Sequence, residues 1–99
     1  MGFSNPDFSP YLQEAIDLAW AQGAVLVAAT GNDSSSQPTY PAGDRAVVGV
    51  TATDENDALL DGSNYGPAVF LAAPGKFIYT TAVGPVNSDS YTVISGTSA

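Results

Sequence analysis

Apolar residues along the chain form one helical pattern followed by several short runs typical of strands. In the helical pattern, four apolar residues share one face: Leu12, Ile16, Ala19 and Trp20. The other faces are predicted to carry Gln13, Glu14, Asp17 and Ala21. Ser9 is a suitable N-cap, Pro10 suits the first helical position, and Gly23 is a stop signal. The pattern therefore predicts an amphipathic helix that packs on a sheet.

Three apolar runs predict the strands of a parallel sheet: residues 24–29 (AVLVAA), 46–51 within the run 46–53 (AVVGVTAT), and 69–72. The first run is bounded by glycines and is apolar at every position, which is typical of a strand with both faces buried. A helix that leads directly into such a strand is the second half of a βαβ unit. Residues 1–4 are therefore predicted to be a stub of the preceding strand.

The C-terminal part of the chain predicts a hairpin. Residues 77–81 and 91–94 are its strands, with a turn at 84–90. Two polar segments without periodicity, 31–44 and 54–65, predict long loops, which in compact domains are usually functional. The predicted fold class is α/β: a partial parallel sheet with one N-terminal helix and a C-terminal hairpin. We expect the edge of this sheet to be unpaired.

Charge and composition exclude several classes of function. The chain has 99 residues, 44% of them hydrophobic, which suits one globular domain. Two basic residues against ten acidic ones give a net charge of −8, so we predict no nucleic-acid partner and no membrane partner. The chain has no cysteine and no histidine. Disulfides, thiolate metal sites and the commonest general base are therefore absent, and we predict no cofactor.

Two polar residues are candidates for chemistry. Asn32 follows the first predicted strand at its carboxyl end, where open parallel sheets bind ligands. Its amide can stabilise an oxyanion, or it can be a turn residue that tolerates left-handed geometry. With Asp33 and Ser34 it also forms a glycosylation acceptor triplet, which is a weak signal. Ser98 follows Gly and Thr near the end of the chain. It can be an exposed nucleophile or an ordinary solvated serine.

An acidic group in the second loop could suggest calcium: Asp54, Glu55, Asp57 and Asp61. Its spacing misses the alternating pattern of an EF-hand loop, so the sequence favours a solvated acidic loop and no metal site.

Five segments occur in a specific order: AVLVAATGND, YPAGD with AVVGVTAT, SNYGP, AAPG and SGTSA. In this order and spacing they resemble the carboxyl-terminal half of the catalytic domain of subtilisin-like serine proteases. The opening residues 1–23 also resemble that family's substrate-lining strand and the helix after it. The resemblance implies that residues 1–99 are a single partial catalytic domain, truncated at both ends.

The resemblance implies roles for particular residues. Ser98 matches the family's nucleophile, and Asn32 matches the asparagine that completes the oxyanion hole together with the N–H of Ser98. The resemblance gives two walls of a specificity pocket that would accept large apolar side chains: Gly2, Phe3 and Ser4 on one side, and Ala29, Thr30 and Gly31 on the other. Phe70 stands where several relatives carry an aspartate that helps to hold a weak cation, so no metal site is expected.

The family's catalytic aspartate and histidine lie in motifs upstream of the part present here. A serine hydroxyl attacks poorly without a neighbouring base, so the chain alone is predicted to be inactive. By resemblance, the parent is a secreted serine endopeptidase that acts on peptide or protein substrates. The predicted partner is a complementary N-terminal fragment or, by self-association, a second copy of the chain. The alternative is a non-catalytic binding or assembly module that uses an exposed sheet edge and the residual groove.

Overall fold

The computed structural model describes residues 1–83 and 89–99 as one helix and five strands. In chain order these are α1 (Pro10–Ala21), β1 (Leu26–Ala29), β2 (Val47–Thr53), β3 (Leu71–Pro74), β4 (Ile78–Val83) and β5 (Asp89–Ile94). Strands β1, β2 and β3 form a parallel sheet in that order, and β4 pairs with β5 as an antiparallel hairpin. The predicted α/β class is confirmed. Of the predicted turn at 84–90, residues 84–88 lie outside the described residues.

Helix α1 begins where local sequence chemistry places it. The Ser9 side chain accepts a hydrogen bond from the Leu12 N–H at 3.3 Å, and Pro10 occupies the first turn. Gly23 follows the helix with a φ of 87°, a conformation that favours glycine. The N–H of Ala24 still donates to the carbonyl of Ala19, so β1 begins at Leu26 and not at residue 24 as predicted.

Backbone conformation also moves the ends of the other strands. Ala46 has a φ of 65° and Phe77 a φ of 56°, so neither can be extended and the strands after them begin one residue later than predicted. The Val69 N–H bonds to the Gly66 carbonyl in a turn, which delays β3 from residue 69 to Leu71. Each predicted strand is present with shifted limits, and residues 89 and 90, predicted to be in the turn, belong to β5.

The prediction of an unpaired sheet edge is wrong at β1. Met1 donates from its amino group to the Val27 carbonyl at 2.6 Å and accepts from the Ala29 N–H at 3.0 Å. These two bonds have the pattern of a parallel ladder, but only Met1 makes them, and residues 1–4 do not form the strand stub predicted for them. Beyond β3, no further strand of the described residues continues the sheet.

The buried apolar residues are few and mostly small: Ile16, Ala28, Ala29, Ala42 and Ala52. The predicted burial of β1 on both faces is wrong, because Val27 is 45% exposed. On β3, which lies on the other side of β2, Leu71 is 43% exposed and shares a sheet face with Val27. One face of the sheet is therefore apolar and open to solvent in this chain. No helix among the described residues is long and apolar enough to span a membrane.

Helix α1 is attached by polar residues as well as by part of the apolar face predicted for it. Of that face only Ile16 is buried, and Trp20 is 55% exposed. Gln13 instead bonds with both backbone groups of Arg45, donating at 3.1 Å and accepting at 3.0 Å. Asp17 pairs with the Arg45 guanidinium. Because these partners lie about thirty positions along the chain, helical periodicity alone does not reveal them.

Asp44 lies beside this contact and is almost fully buried, with 5% of its surface exposed. Neither carboxylate oxygen has a hydrogen-bond partner within the described parts of the chain. Burial, with the nearby charge of Asp17 adding to it, raises the pKa of the Asp44 carboxyl above its usual value. The folded state therefore keeps this proton to higher pH than the unfolded state, so ionisation of Asp44 destabilises the fold as pH rises.

We expect Asp44→Asn to stabilise the protein at pH 7 by on the order of 1 kcal/mol, because an amide costs less to bury than an unpaired carboxylate. The gain should shrink towards about pH 3, where the carboxyl is protonated in both states. Thermal unfolding of both proteins at the two pH values measures it, with the exposed Asp61→Asn as the control. A lower melting temperature for Asp44→Asn at pH 7 would contradict the prediction and indicate that the carboxylate has a bonding partner.

Candidate active site

The loop after β1 leaves the sheet through a buried threonine and a glycine. Thr30 is 2% exposed, and its hydroxyl donates to the Val50 carbonyl at 3.3 Å. Gly31 has a φ of 98°, and a Cβ atom there would lie 2.6 Å from the Asn64 Nδ2. Glycine is therefore required at residue 31 both by backbone conformation and by the close approach of a neighbour. The next residue along this loop is Asn32.

Asn32 is held by its carbonyl end. Its Oδ1 accepts from both the backbone N–H and the hydroxyl of Thr97, each at 3.0 Å. The Thr97 hydroxyl in turn accepts from the Gly31 N–H at 3.2 Å. Among the described residues the Asn32 Nδ2 donates to no group, and the Asn32 side chain is exposed. Its two amide hydrogens are thus free next to the residue that precedes Ser98.

Ser98 contacts the first residues of the chain. Its exposed hydroxyl donates to the Gly2 carbonyl at 3.0 Å, and a Cβ at Gly2 would lie 3.4 Å from the Ser98 Cβ. The Ser98 N–H makes no backbone hydrogen bond within the described residues. A carbonyl oxygen cannot take the hydroxyl proton at neutral pH, and the chain contains no histidine. Ser98 is therefore positioned but has no general base beside it.

The residues predicted to form the pocket walls fall into two groups, those that line a cavity and those that do not. Gly2 and Ala29, together with Ser98, are among the residues that line a cavity of about 170 Å³. The exposed Ser4 approaches Gly31, since its Oγ lies 3.2 Å from the position of a Cβ there. The two predicted walls thus meet at this point.

Phe3 and Thr30 complete the predicted set. Phe3 is 55% exposed, whereas Thr30 is buried and offers its carbonyl to the Thr39 hydroxyl at 2.7 Å. Neither residue lines the cavity, and nor do Ser4 and Gly31. The roles of all six residues in substrate binding remain predictions.

A family model, described as the subtilase family of peptidases, matches residues 2–99. The chain belongs to the subtilase family. Its subtilase relatives include thermitase of Thermoactinomyces vulgaris, which is 42% identical over 88% of this chain. The minor extracellular protease Epr of Bacillus subtilis is 38% identical over 99% of it. A solved protease structure from Pseudoalteromonas arctica superposes with a TM-score of 0.92, at 30% identity over 99% of this chain.

The chain spans only part of each of these subtilases. It covers 30% of thermitase, 15% of Epr and 33% of the Pseudoalteromonas chain. The family and the fold are thereby established.

The structure brings together the two residues that the sequence singled out, through a third that it did not. Asn32 and Ser98 are linked by Thr97, which the sequence indicates only as part of the SGTSA segment. Asn64 was also missed as an individual residue, although its segment SNYGP was noted. Neither residue has a periodicity or spacing signal, because both act through contacts with residues more than thirty positions away.

We predict that Gly31→Ala destabilises the protein more than Gly23→Ala. Both glycines have positive φ, so each substitution costs about 1–2 kcal/mol in the free energy of unfolding. A Cβ at Gly23 meets no atom within 4 Å, whereas at Gly31 it would displace Asn64 and cost roughly 1–3 kcal/mol more. Urea unfolding of the two variants measures the difference. Equal losses would show that the loop around Asn64 adjusts without cost.

Proposed function

We propose that this chain is the part of a subtilisin-like serine endopeptidase that carries the nucleophile, Ser98, and the oxyanion-stabilising side chain, Asn32. The observation that carries the proposal is the attachment of Asn32 to Thr97 through its oxygen. With Oδ1 occupied by the Thr97 N–H and hydroxyl, the amide nitrogen is the only end of the side chain left to bind a ligand. A free N–H donor next to a serine is what an acyl-transfer reaction requires.

In the proposed reaction the Ser98 oxygen attacks the carbonyl carbon of a peptide bond while a base removes the hydroxyl proton. The carbonyl oxygen becomes an oxyanion that accepts hydrogen bonds from Asn32 Nδ2 and from the Ser98 N–H. The tetrahedral intermediate collapses, the amine leaves with a proton from the base, and an acyl-serine ester remains. Water then hydrolyses this ester by the same steps and regenerates the hydroxyl.

The base and its orienting carboxylate must come from outside this chain. The Ser98 hydroxyl donates to a carbonyl group, so nothing beside it lowers the barrier to proton removal. We therefore propose that the 99 residues alone are inactive and work with an N-terminal part of a catalytic domain that supplies aspartate and histidine. The open apolar face that includes Val27 and Leu71 supports such a partner, and self-association is its alternative occupant.

The class of substrate and the secretion of the protein follow from the same proposal. Gly2, Phe3 and Ser4 would pair with the peptide backbone and form one wall of the specificity pocket, while Ala29, Thr30 and Gly31 would form the other. The small side chains at Gly2, Ala29 and Gly31 support a preference for large apolar groups. Secretion is supported by the relative that is named as an extracellular protease.

The first test is hydrolysis of a chromogenic peptide by the purified 99-residue chain, alone and mixed with an N-terminal part that contains aspartate and histidine. We expect no turnover by the chain alone. We expect turnover by the mixture that is lost in Ser98→Ala and kept in the exposed Ser36→Ala. Turnover by the chain alone that depends on Ser98 would contradict the predicted inactivity. Binding of the two parts without turnover would favour the non-catalytic binding module.

The second test separates Asn32 as an oxyanion donor from Asn32 as a turn residue. In the active protease, Asn32→Ala should lower kcat by roughly 10²–10³-fold with KM little changed, the range known for removing such a donor from a subtilisin. Asn32→Asp keeps the oxygen that accepts from Thr97 but has no amide hydrogens, so its kcat should fall at least as far.

The control for this test is Asn56→Ala, in an exposed turn away from Ser98. Kinetics and thermal unfolding are measured on all three variants. An Asn32→Asp protease with unchanged kcat would mean that only the contact with Thr97 matters, and the oxyanion role would be wrong.

A further inference from the structure

Asn64 has a buried side chain that bonds only to the loop carrying Asn32. It is 2% exposed, and so is among the most completely buried residues of the described structure. Its Oδ1 accepts from the Asp33 N–H at 2.8 Å and from the Ser35 N–H at 3.1 Å. Its Nδ2 donates to the Thr30 carbonyl at 2.8 Å. These three hydrogen bonds fix the backbone of the loop on both sides of Asn32.

The partners fix the orientation of this amide. Two backbone N–H groups lie at one end and can only donate, so that end must be the oxygen. A carbonyl lies at the other end and can only accept, so that end must be the NH₂ group. A side chain of similar size but without both functions could not satisfy all three backbone groups. Buried backbone groups without hydrogen-bond partners are costly, so the loop would move to satisfy them elsewhere.

Asn64 is itself held in place by its backbone. Its N–H donates to the Gly31 carbonyl at 2.9 Å, and its carbonyl accepts from the Thr51 hydroxyl of β2 at 2.6 Å. The side chain therefore transmits the position of the sheet to residues 30–35. On the other side of the same loop, Thr97 holds the Asn32 oxygen. Asn32 is thus located by two independent sets of hydrogen bonds, one to its side chain and one to the backbone around it.

We infer that Asn64 is a positioning residue for the oxyanion donor: it does not touch substrate but fixes the backbone on both sides of Asn32 so that the amide nitrogen faces the reacting carbonyl. This inference rests on the proposed function of Asn32. A small displacement of such a donor lowers the rate, because stabilisation of the transition state depends steeply on donor position.

The test is a double-mutant cycle in the active full-length protease. Asn64→Leu, which keeps the volume but removes every side-chain hydrogen bond, should lower kcat roughly tenfold to a hundredfold with KM changed by less than about twofold. Introduced into Asn32→Ala, the same substitution should lower kcat by no more than about twofold, because the donor it positions is already gone. Titration of active sites corrects each kcat for the folded fraction.

The control is Ser63→Ala at the neighbouring buried residue, whose hydroxyl has no hydrogen-bond partner in the described parts of the structure and whose loss should leave kcat unchanged. If Asn64→Leu does not fold, Asn64→Asp takes its place in the cycle. The aspartate keeps the oxygen that accepts from Asp33 and Ser35, but it replaces the donation to Thr30 by a carboxylate oxygen that repels the Thr30 carbonyl, so its kcat should also fall.

Each outcome has one interpretation. Loss of kcat from Asn64 substitution that disappears in Asn32→Ala supports the positioning role. Equal losses in both backgrounds, or an unchanged kcat, overturn it and leave Asn64 as a stabilising residue only. A full-length protein whose hydrolysis does not depend on Ser98 overturns the proposed function, and the positioning role with it.

Discussion

The hydrogen bond from the Thr97 N–H to the Asn32 side-chain oxygen is the contact on which the arrangement of the site depends. It joins the loop after the first strand to the residue just before Ser98, and it decides which end of the Asn32 amide is free. Thr97 strengthens this junction because its hydroxyl both donates to Asn32 and accepts from Gly31. Without this bond the serine and the asparagine would be two exposed polar residues on separate segments.

Local chemistry in the sequence was enough to predict much of the fold. Ser9 and Pro10 specify the start of the helix, because capping depends only on neighbouring residues. The apolar runs identified the three strands of the parallel sheet, because short apolar runs bounded by turn residues favour strands even where the sheet is only partly buried. The predicted limits of the strands were less accurate, since Ala46 and Phe77 adopt positive φ values that are unusual for their residue types.

The interactions that arrange the site are those that sequence patterns do not encode. Local position made Asn32 and Ser98 candidates but left an ordinary turn residue and a solvated serine as alternatives, and the order of five segments gave them catalytic roles only through a family resemblance. The same holds for the helix, whose residue Gln13 binds Arg45 and whose Trp20 stays exposed, contrary to the periodicity. A hydrogen bond between distant segments does not depend on the spacing of apolar and polar residues in either segment, so that spacing does not predict it.

The contact between Ser98 and Gly2 spans 96 positions, and that between Thr97 and Gly31 spans 66. Contacts of such long sequence separation close large loops, and their entropic cost is recovered only after the intervening structure has formed. We therefore expect Ser98 to reach its place late in folding, after contacts of shorter sequence separation such as that of Met1 with β1 have formed. An unfolded or half-folded chain has no assembled site, so the chemistry of this segment is tied to completion of its fold.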